Sequence, residues 1–218
     1  MSKILLFTGG IAPLADSGRP SGIANKQPVT TPLALDSEGF AGDRQADRRV
    51  HGGPEKAVHL YPAAHYAKLA QRFPDAAPLL IPGSIGENIS SAELDETRVK
   101  IGDIWQLGMA RLQLCQPRNP CWKIDTRFAS DGMAEFIADQ RLTGWYFRVV
   151  QTGIVAPDDE LERIATDSAA MTLDDALQLW QIHRPPLAEL ERLAAHPGIS
   201  PQWREKIDKR LVWLRGNA

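Results

Sequence analysis

Apolar side chains recur at two different spacings along this chain, and the change comes near residue 165. Before it, short pieces alternate or cluster as strands do. Lys3-Ile-Leu-Leu-Phe7, Ala57-Val-His-Leu-Tyr61, Val99-Lys-Ile101 and Trp145-Tyr-Phe-Arg-Val-Val150 are such pieces. Ala110-Arg-Leu-Gln-Leu-Cys115 alternates apolar with polar, the period of a half-buried strand. Glycines at Gly42, Gly102 and Gly108 mark turns between them. One helix is predicted after Pro62, with Tyr66, Leu69, Ala70 and Phe73 on one face, and a shorter one holds Met133, Phe136 and Ile137. Many short strands joined by turns predict a mainly β, barrel-like domain over residues 1–165, with few helices long enough for repeated βαβ crossovers.

Beyond residue 165 the spacing becomes helical. Thr172 followed by Asp175 is a capping-box pattern ahead of Ala176, Leu177 and Trp180. Pro185-Pro186 opens a second helix with Leu187, Leu190, Leu193 and Ala194 as its stripe. Ser200-Pro201 supplies cap and first position of a third, which buries Trp203, Ile207, Leu211 and Leu214. A small three-helix domain over residues 166–218 is the expectation.

Charge and cysteine content narrow the function classes. The 25 basic and 27 acidic residues of the 218 give a formal net charge of -2. Neither part carries the positive excess of a nucleic-acid binder. No apolar run is long enough to span a membrane. The N-terminal MSKILLFTGGIAPLADSG is cut by glycines and an aspartate and reads as a first strand and loop, not an export signal. The expected compartment is therefore the cytoplasm, with Cys115 and Cys121 as free thiols, although their spacing alone permits a disulfide.

Three segments have chemical potential. DRQADRRVHGGPEKA at 43–57 gathers Arg44, Arg48, Arg49, His51 and Lys56 around a Gly-Gly-Pro turn that would let a ligand approach the main chain. A surface turn with scattered ion pairs fits the same residues. His51, His59 and His65 lack the cysteine spacing of a compact zinc site. Ile85-Gly-Glu-Asn-Ile89 follows Pro82-Gly83, and its Glu87 and Asn88 suit side-chain-to-backbone bonds that fix the loop. QPRNPC at 116–121 differs from both, because two prolines stiffen the loop that presents Cys121. Arg118 beside it favours a thiolate and can hold an anion. A packed, inert Cys121 is the alternative. A peptidase or acyl-transfer role needs a histidine poised at the thiol. A single thiolate on a soft metal, whose other ligands come from a cofactor, is the other chemistry these residues allow.

These pieces together resemble the MOSC family, the molybdenum cofactor sulfurase C-terminal domain. The matching segments are GIANKQPV at 22–29, GFAGDRQADRRVHGGPEKAVHLYPAAHY at 39–66, IGENIS at 85–90, VKIGDIWQLG at 99–108 and QPRNPCWKI at 116–124. The tail matches compact bacterial members that carry three C-terminal helices. Where the family usually reads FGENL, this chain has Ile85 and Ile89 at the ends, changes that keep apolar character. The resemblance implies a β-barrel binding a molybdenum-bearing pterin, the molybdenum cofactor, with Cys121 as metal ligand and catalytic residue. It places Lys26, His51, Asn88 and Arg118 around that cofactor. It further implies an oxidoreductase for N-hydroxylated substrates such as 6-N-hydroxylaminopurine, fed by a separate electron-donating reductase. Two alternatives use the same residues differently: a sulfur or cofactor carrier working through Cys121, and a binding module docked by Arg204, Lys206 and Arg210.

Overall fold

The computed structural model describes residues 2–217 apart from 15, 16 and 24, with residues 49 and 50 described by backbone alone. Its strands are β1 (Ile4–Gly9), β2 (Ala12–Pro13), β3 (Pro20–Ser21), β4 (Lys26–Pro28), β5 (Leu33–Asp36), β6 (Gly39–Phe40), β7 (Val58–Pro62), β8 (Ile89–Ser91), β9 (Ile104–Leu107), β10 (Ala110–Pro117), β11 (Trp145–Gln151), β12 (Gly153–Val155) and β13 (Leu161–Ala165). The helices are α1 (Arg48–His51), α2 (Ala64–Arg72), α3 (Lys123–Phe128), α4 (Met133–Asp139), α5 (Leu173–Gln181), α6 (Leu187–Ala195) and α7 (Pro201–Gly216), with 3-10 turns at Pro54–Lys56 and Pro74–Leu79.

Eight strands form one sheet in the order β13-β9-β10-β11-β7-β8-β1-β4. Its pairs are antiparallel except β7 and β8, which run parallel because α2 lies between them in the chain and carries it back across. The sheet curls until the residues leading into β1 reach its far edge. Ser2 donates its N–H to Leu161 at 2.9 Å and accepts from Leu161 at 3.1 Å, so the residues leading into β1 join β13. This is the expected barrel-like fold.

Trp145, Phe147, Leu60, Leu107 and Leu112 fill the barrel and are fully buried. Each such side chain contributes roughly 1.5–3 kcal/mol of hydrophobic stabilisation. The same buried cluster continues into Leu173, Leu190, Trp203 and Ile207 of the C-terminal helices. A smaller cluster under α2 joins Tyr61, Tyr66 and Leu69 to Phe128 and Ile137.

The helix caps follow the sequence pattern. Thr172 accepts the N–H of Asp175 at 3.1 Å, and Ser200 accepts that of Trp203 at 3.1 Å. Two local expectations fail. Val99-Lys-Ile101 is a turn and not a strand: Asp103 accepts the Lys100 N–H at 2.9 Å and returns its own N–H to the Lys100 carbonyl at 3.1 Å. Its two apolar side chains are core residues inside a non-extended segment. Alternation also breaks at Cys115, because a register shift between Leu114 and Gln116 leaves all three residues buried. The basic face of α7 is largely occupied. Arg210 donates to the carbonyls of Trp180 and Ile182, and Arg204 donates to that of His196 at 3.0 Å.

Ser200 is more than a cap. Its hydroxyl donates to Gln116 at 2.8 Å, its N–H donates to Cys115 at 2.9 Å, and the residue is fully buried. Ser200→Ala should therefore cost about 2 kcal/mol, since it orphans a buried amide oxygen as well as a helix N–H. Thr172→Ala, at an exposed cap, should cost about 1 kcal/mol or less. Urea denaturation of both variants checks the ranking; equal losses would mean that the Gln116 bond contributes nothing.

Candidate functional site

Lys26, His51, Asn88, Arg118 and Cys121 come from five separate segments and line one cavity that opens to solvent. Each reaches it by a different local device. The 116–121 loop leaves the end of β10, where the Arg118 N–H donates to Gly144 at 3.1 Å. Gly144 itself sits at φ +63°, and a Cβ there would lie 2.3 Å from the Leu60 carbonyl, so only glycine fits. Arg118 is buried, with one Nη donating to the Ile85 carbonyl at 3.4 Å and the other without a partner. A buried guanidinium nitrogen left open costs free energy that an anion in the cavity would recover.

Lys26 lies in the opposite wall, paired with Asp43 at 2.6 Å; both side chains are almost wholly buried. Burial pulls the lysine below its ordinary pKa, and the attraction of Asp43 only partly offsets this. Asp43 was the residue missed in the sequence. Its carboxylate also accepts from the Gly9 N–H at 2.9 Å, Gln45 at 3.1 Å and the Asn88 side chain at 3.0 Å. Asn88 in turn accepts the His59 N–H at 3.1 Å and donates to the Phe7 carbonyl at 3.3 Å. Glu87, its neighbour, faces away and accepts from the Tyr66 hydroxyl and the Gly83 N–H, both at 2.6 Å. The 85–89 segment is thus fixed by side-chain-to-backbone bonds while Asn88 also faces the cavity.

His51 ends α1 and is half-buried in a field of cations. Burial first, then Lys123, Arg118 and Lys56, push its pKa down to about 4. It is a neutral imidazole at pH 7. Lys56 closes the 3-10 turn after Gly53; the preceding carbonyl, Glu55, accepts from Gln116 at 3.0 Å and ties the turn to β10. Arg44 lines the cavity as well, whereas Arg48 faces Glu38 at the surface and the Arg49 side chain is outside the described residues. His59 lines the cavity fully buried and is held well below the usual histidine range by that burial, then by Arg118 and Lys26. His65 is elsewhere, bonded to the buried Glu96 at 2.7 Å.

The two cysteines have different environments. Cys121 is half-buried at the cavity. Cys115 is wholly buried, its sulfur donates to the Glu55 carbonyl at 3.2 Å, and burial pushes its pKa up to about 12. Both are free. Trp105 and Phe128 are core residues, while Trp122 is exposed with Arg19 over its ring at 5.1 Å. Among the described residues no three His, Cys, Asp or Glu side chains converge as metal ligands. A metal at Cys121 would need most of its ligands from a cofactor, and the surrounding cations and open Arg118 nitrogen fit an anionic one.

Residues 47–162 match the MOSC domain. The chain belongs to that family. Among curated relatives it is 35% identical over 208 residues to protein YiiM of Escherichia coli (strain K12), covering 95% of this chain and 91% of that one. The crystal structure of the same YiiM superposes with a TM-score of 0.80 at 29% identity, over 97% of this chain and 92% of that one. A protein of Gibberella moniliformis (strain M3125 / FGSC 7600) named "Reductase" is 32% identical over 172 residues, 77% of this chain and 30% of its own length. The MOSC match spans the cavity's Cys121 loop, His51 turn and Asn88 segment, and Lys26 lies N-terminal to it.

Two outcomes follow from these environments. Iodoacetamide at pH 8 should label one thiol in the native protein, and Cys121→Ser but not Cys115→Ser should abolish the label, as mass spectrometry would show. His51 titrates at about 4 when folded against 6.5 unfolded, so acid protonates the unfolded chain first. Its contribution to stability is complete above about pH 6.5 and is lost as the pH falls toward 4. Relative to His51→Gln, the native protein should lose stability across that window, and its ring should remain neutral by NMR at pH 6.

Proposed function

We propose that this protein is a molybdenum-cofactor-dependent oxidoreductase that reduces N-hydroxylated substrates, 6-N-hydroxylaminopurine among them. MOSC membership supports a role connected with the molybdenum cofactor, and the relative named "Reductase" supports redox chemistry. The observation that carries the reading is the company of Cys121: a half-buried thiol in a cavity whose walls hold buried Lys26 and an Arg118 nitrogen without a partner. Such a cavity suits a soft metal attached to an anionic organic ligand.

In this reading Cys121 is the protein's ligand to molybdenum. Arg118 and Lys26 receive the anionic tail, and neutral His51 and Asn88 shape the space between them. When bound, the cofactor supplies the two electrons that cleave the N–O bond, with two protons completing an amine and water. The chain's own work is placement. Asp43 holds Lys26 and Asn88 in one wall, Gly144 holds Arg118 in the other, and Tyr146 and His59 line the same cavity. A separate reductase, working in the cytoplasm, supplies the electrons.

Replacing Cys121 decides between this and a carrier role. Serine keeps the loop's size and prolines but offers a hard, protonated oxygen to a soft metal. Cys121→Ser should lose metal and lower reduction of 6-N-hydroxylaminopurine by orders of magnitude, with an artificial donor, while stability changes by only about 1–2 kcal/mol. Cys115→Ser should keep metal and activity. Wild type that carries metal and pterin but turns over no N-hydroxylated compound would favour the carrier. Equal loss of activity in both variants, with metal retained in each, would defeat the ligand assignment.

A further inference from the structure

A second chamber, of about 360 Å³, adjoins the first and lies between the barrel and the C-terminal helices. His51, Lys56, Arg118, Cys121 and Tyr146 line both, so the two share one wall. The outer wall comes from α5 and α7, through Trp180, Trp203 and Lys206.

The charges in that chamber are unusual for a structural helix face. Of the five cations on α7, four are engaged: Arg204 and Arg210 on backbone carbonyls, Lys209 on Glu205 and Arg215 on Glu191. The fifth, Lys206, makes no hydrogen bond or ion pair among the described residues and points its charge at the chamber that Lys56 enters from the barrel. The two are close enough that Lys206 lowers the pKa of Lys56, second only to burial. Asp139 is the one carboxylate on the lining. With Lys56, Lys206 and Arg118 on its lining against the single carboxylate of Asp139, the chamber has a positive wall that matches a dianion. The cofactor's own tail has Lys26 and Arg118 in the neighbouring cavity, so this pair is additional.

We propose that this chamber binds the substrate, with Lys56 and Lys206 taking a phosphate, and that the preferred substrates are N-hydroxylated nucleoside monophosphates over free bases. The base would enter through the shared wall toward Cys121, and the phosphate would remain under α7. The assignment deepens the reductase reading and rests on it for the N-hydroxyl group alone. At about 360 Å³ the chamber falls within the range of small-ligand pockets.

Cofactor-loaded protein would be given the 5′-monophosphate of N-hydroxylated adenosine and, separately, 6-N-hydroxylaminopurine. Binding of AMP and adenosine to the same protein would be measured by calorimetry. The monophosphate should have the higher kcat/KM, and AMP should bind more tightly than adenosine, with a gap that narrows in high salt. Lys206→Glu should shrink both preferences about tenfold, the loss of one charge-assisted contact, while Lys206→Arg keeps them. Lys206 is exposed on its helix, so both variants should fold, as their melting curves would check. Preferences that are absent in wild type, or unchanged by Lys206→Glu, would overturn the proposal. So would a Lys206→Glu defect seen only with a protein electron donor, which would make the lysine a docking residue. AMP binding that depends on Lys206, without turnover of any N-hydroxylated compound, would leave the chamber assignment standing and defeat the reductase reading.

Discussion

The Asp43 carboxylate accepts four hydrogen bonds, from Gly9, Lys26, Gln45 and Asn88, with almost no exposure to water. Those donors belong to β1, β4, the loop after β6 and the segment before β8. A buried ion pair of this kind is seldom a net source of stability, because desolvation consumes most of the attraction. Its effect here is geometric. It keeps an ammonium group in a cavity wall where burial alone would expel it, and it fixes Asn88, which in turn engages the backbone of β7 and β1. The cation at the cavity and the joint between four chain segments therefore depend on one side chain.

The opposite wall uses the backbone for the same purpose. Glu96, buried against His65, accepts the Gly144 N–H at 2.7 Å, and the Gly144 carbonyl accepts from Arg118. Arg118 is thus positioned through its main chain, which leaves its side chain free to keep an unsatisfied nitrogen. Rigid support on one side and an open donor on the other is the arrangement expected of a preorganised anion site.

Features set by neighbours in the chain were legible from sequence: the two C-terminal caps at Thr172 and Ser200, the amphipathic stripes, and a cysteine between prolines. The five site residues named from sequence do meet at one cavity. What escaped depends on distant partners. Asp43 looked like one more charge in a basic segment, because three of its four partners lie 17, 34 and 45 residues away. Lys206 is set apart from the other α7 cations only by their tertiary partners, which no local pattern shows. The Val99–Ile101 error has the opposite cause: burial and β-branching mimicked a strand, while Asp103 closed a turn around it. The alternation read over 110–115 fails at its end because a bulge shifts it by one residue, which no local pattern signals.

The bridge between Ser2 and Leu161 also bears on how the protein is made. Joining those residues closes a loop of nearly the whole barrel sequence, a contact of very large sequence separation and correspondingly slow formation. During synthesis the early strands can pair locally, but the seam waits until residue 161 has left the ribosome, and the Ser200 contact to β10 waits longer still. The Lys26 wall hangs from β1, a strand at that seam. Any ligand that needs both walls would thus find a complete seat only after translation of the barrel, which would make its insertion an event of the finished chain.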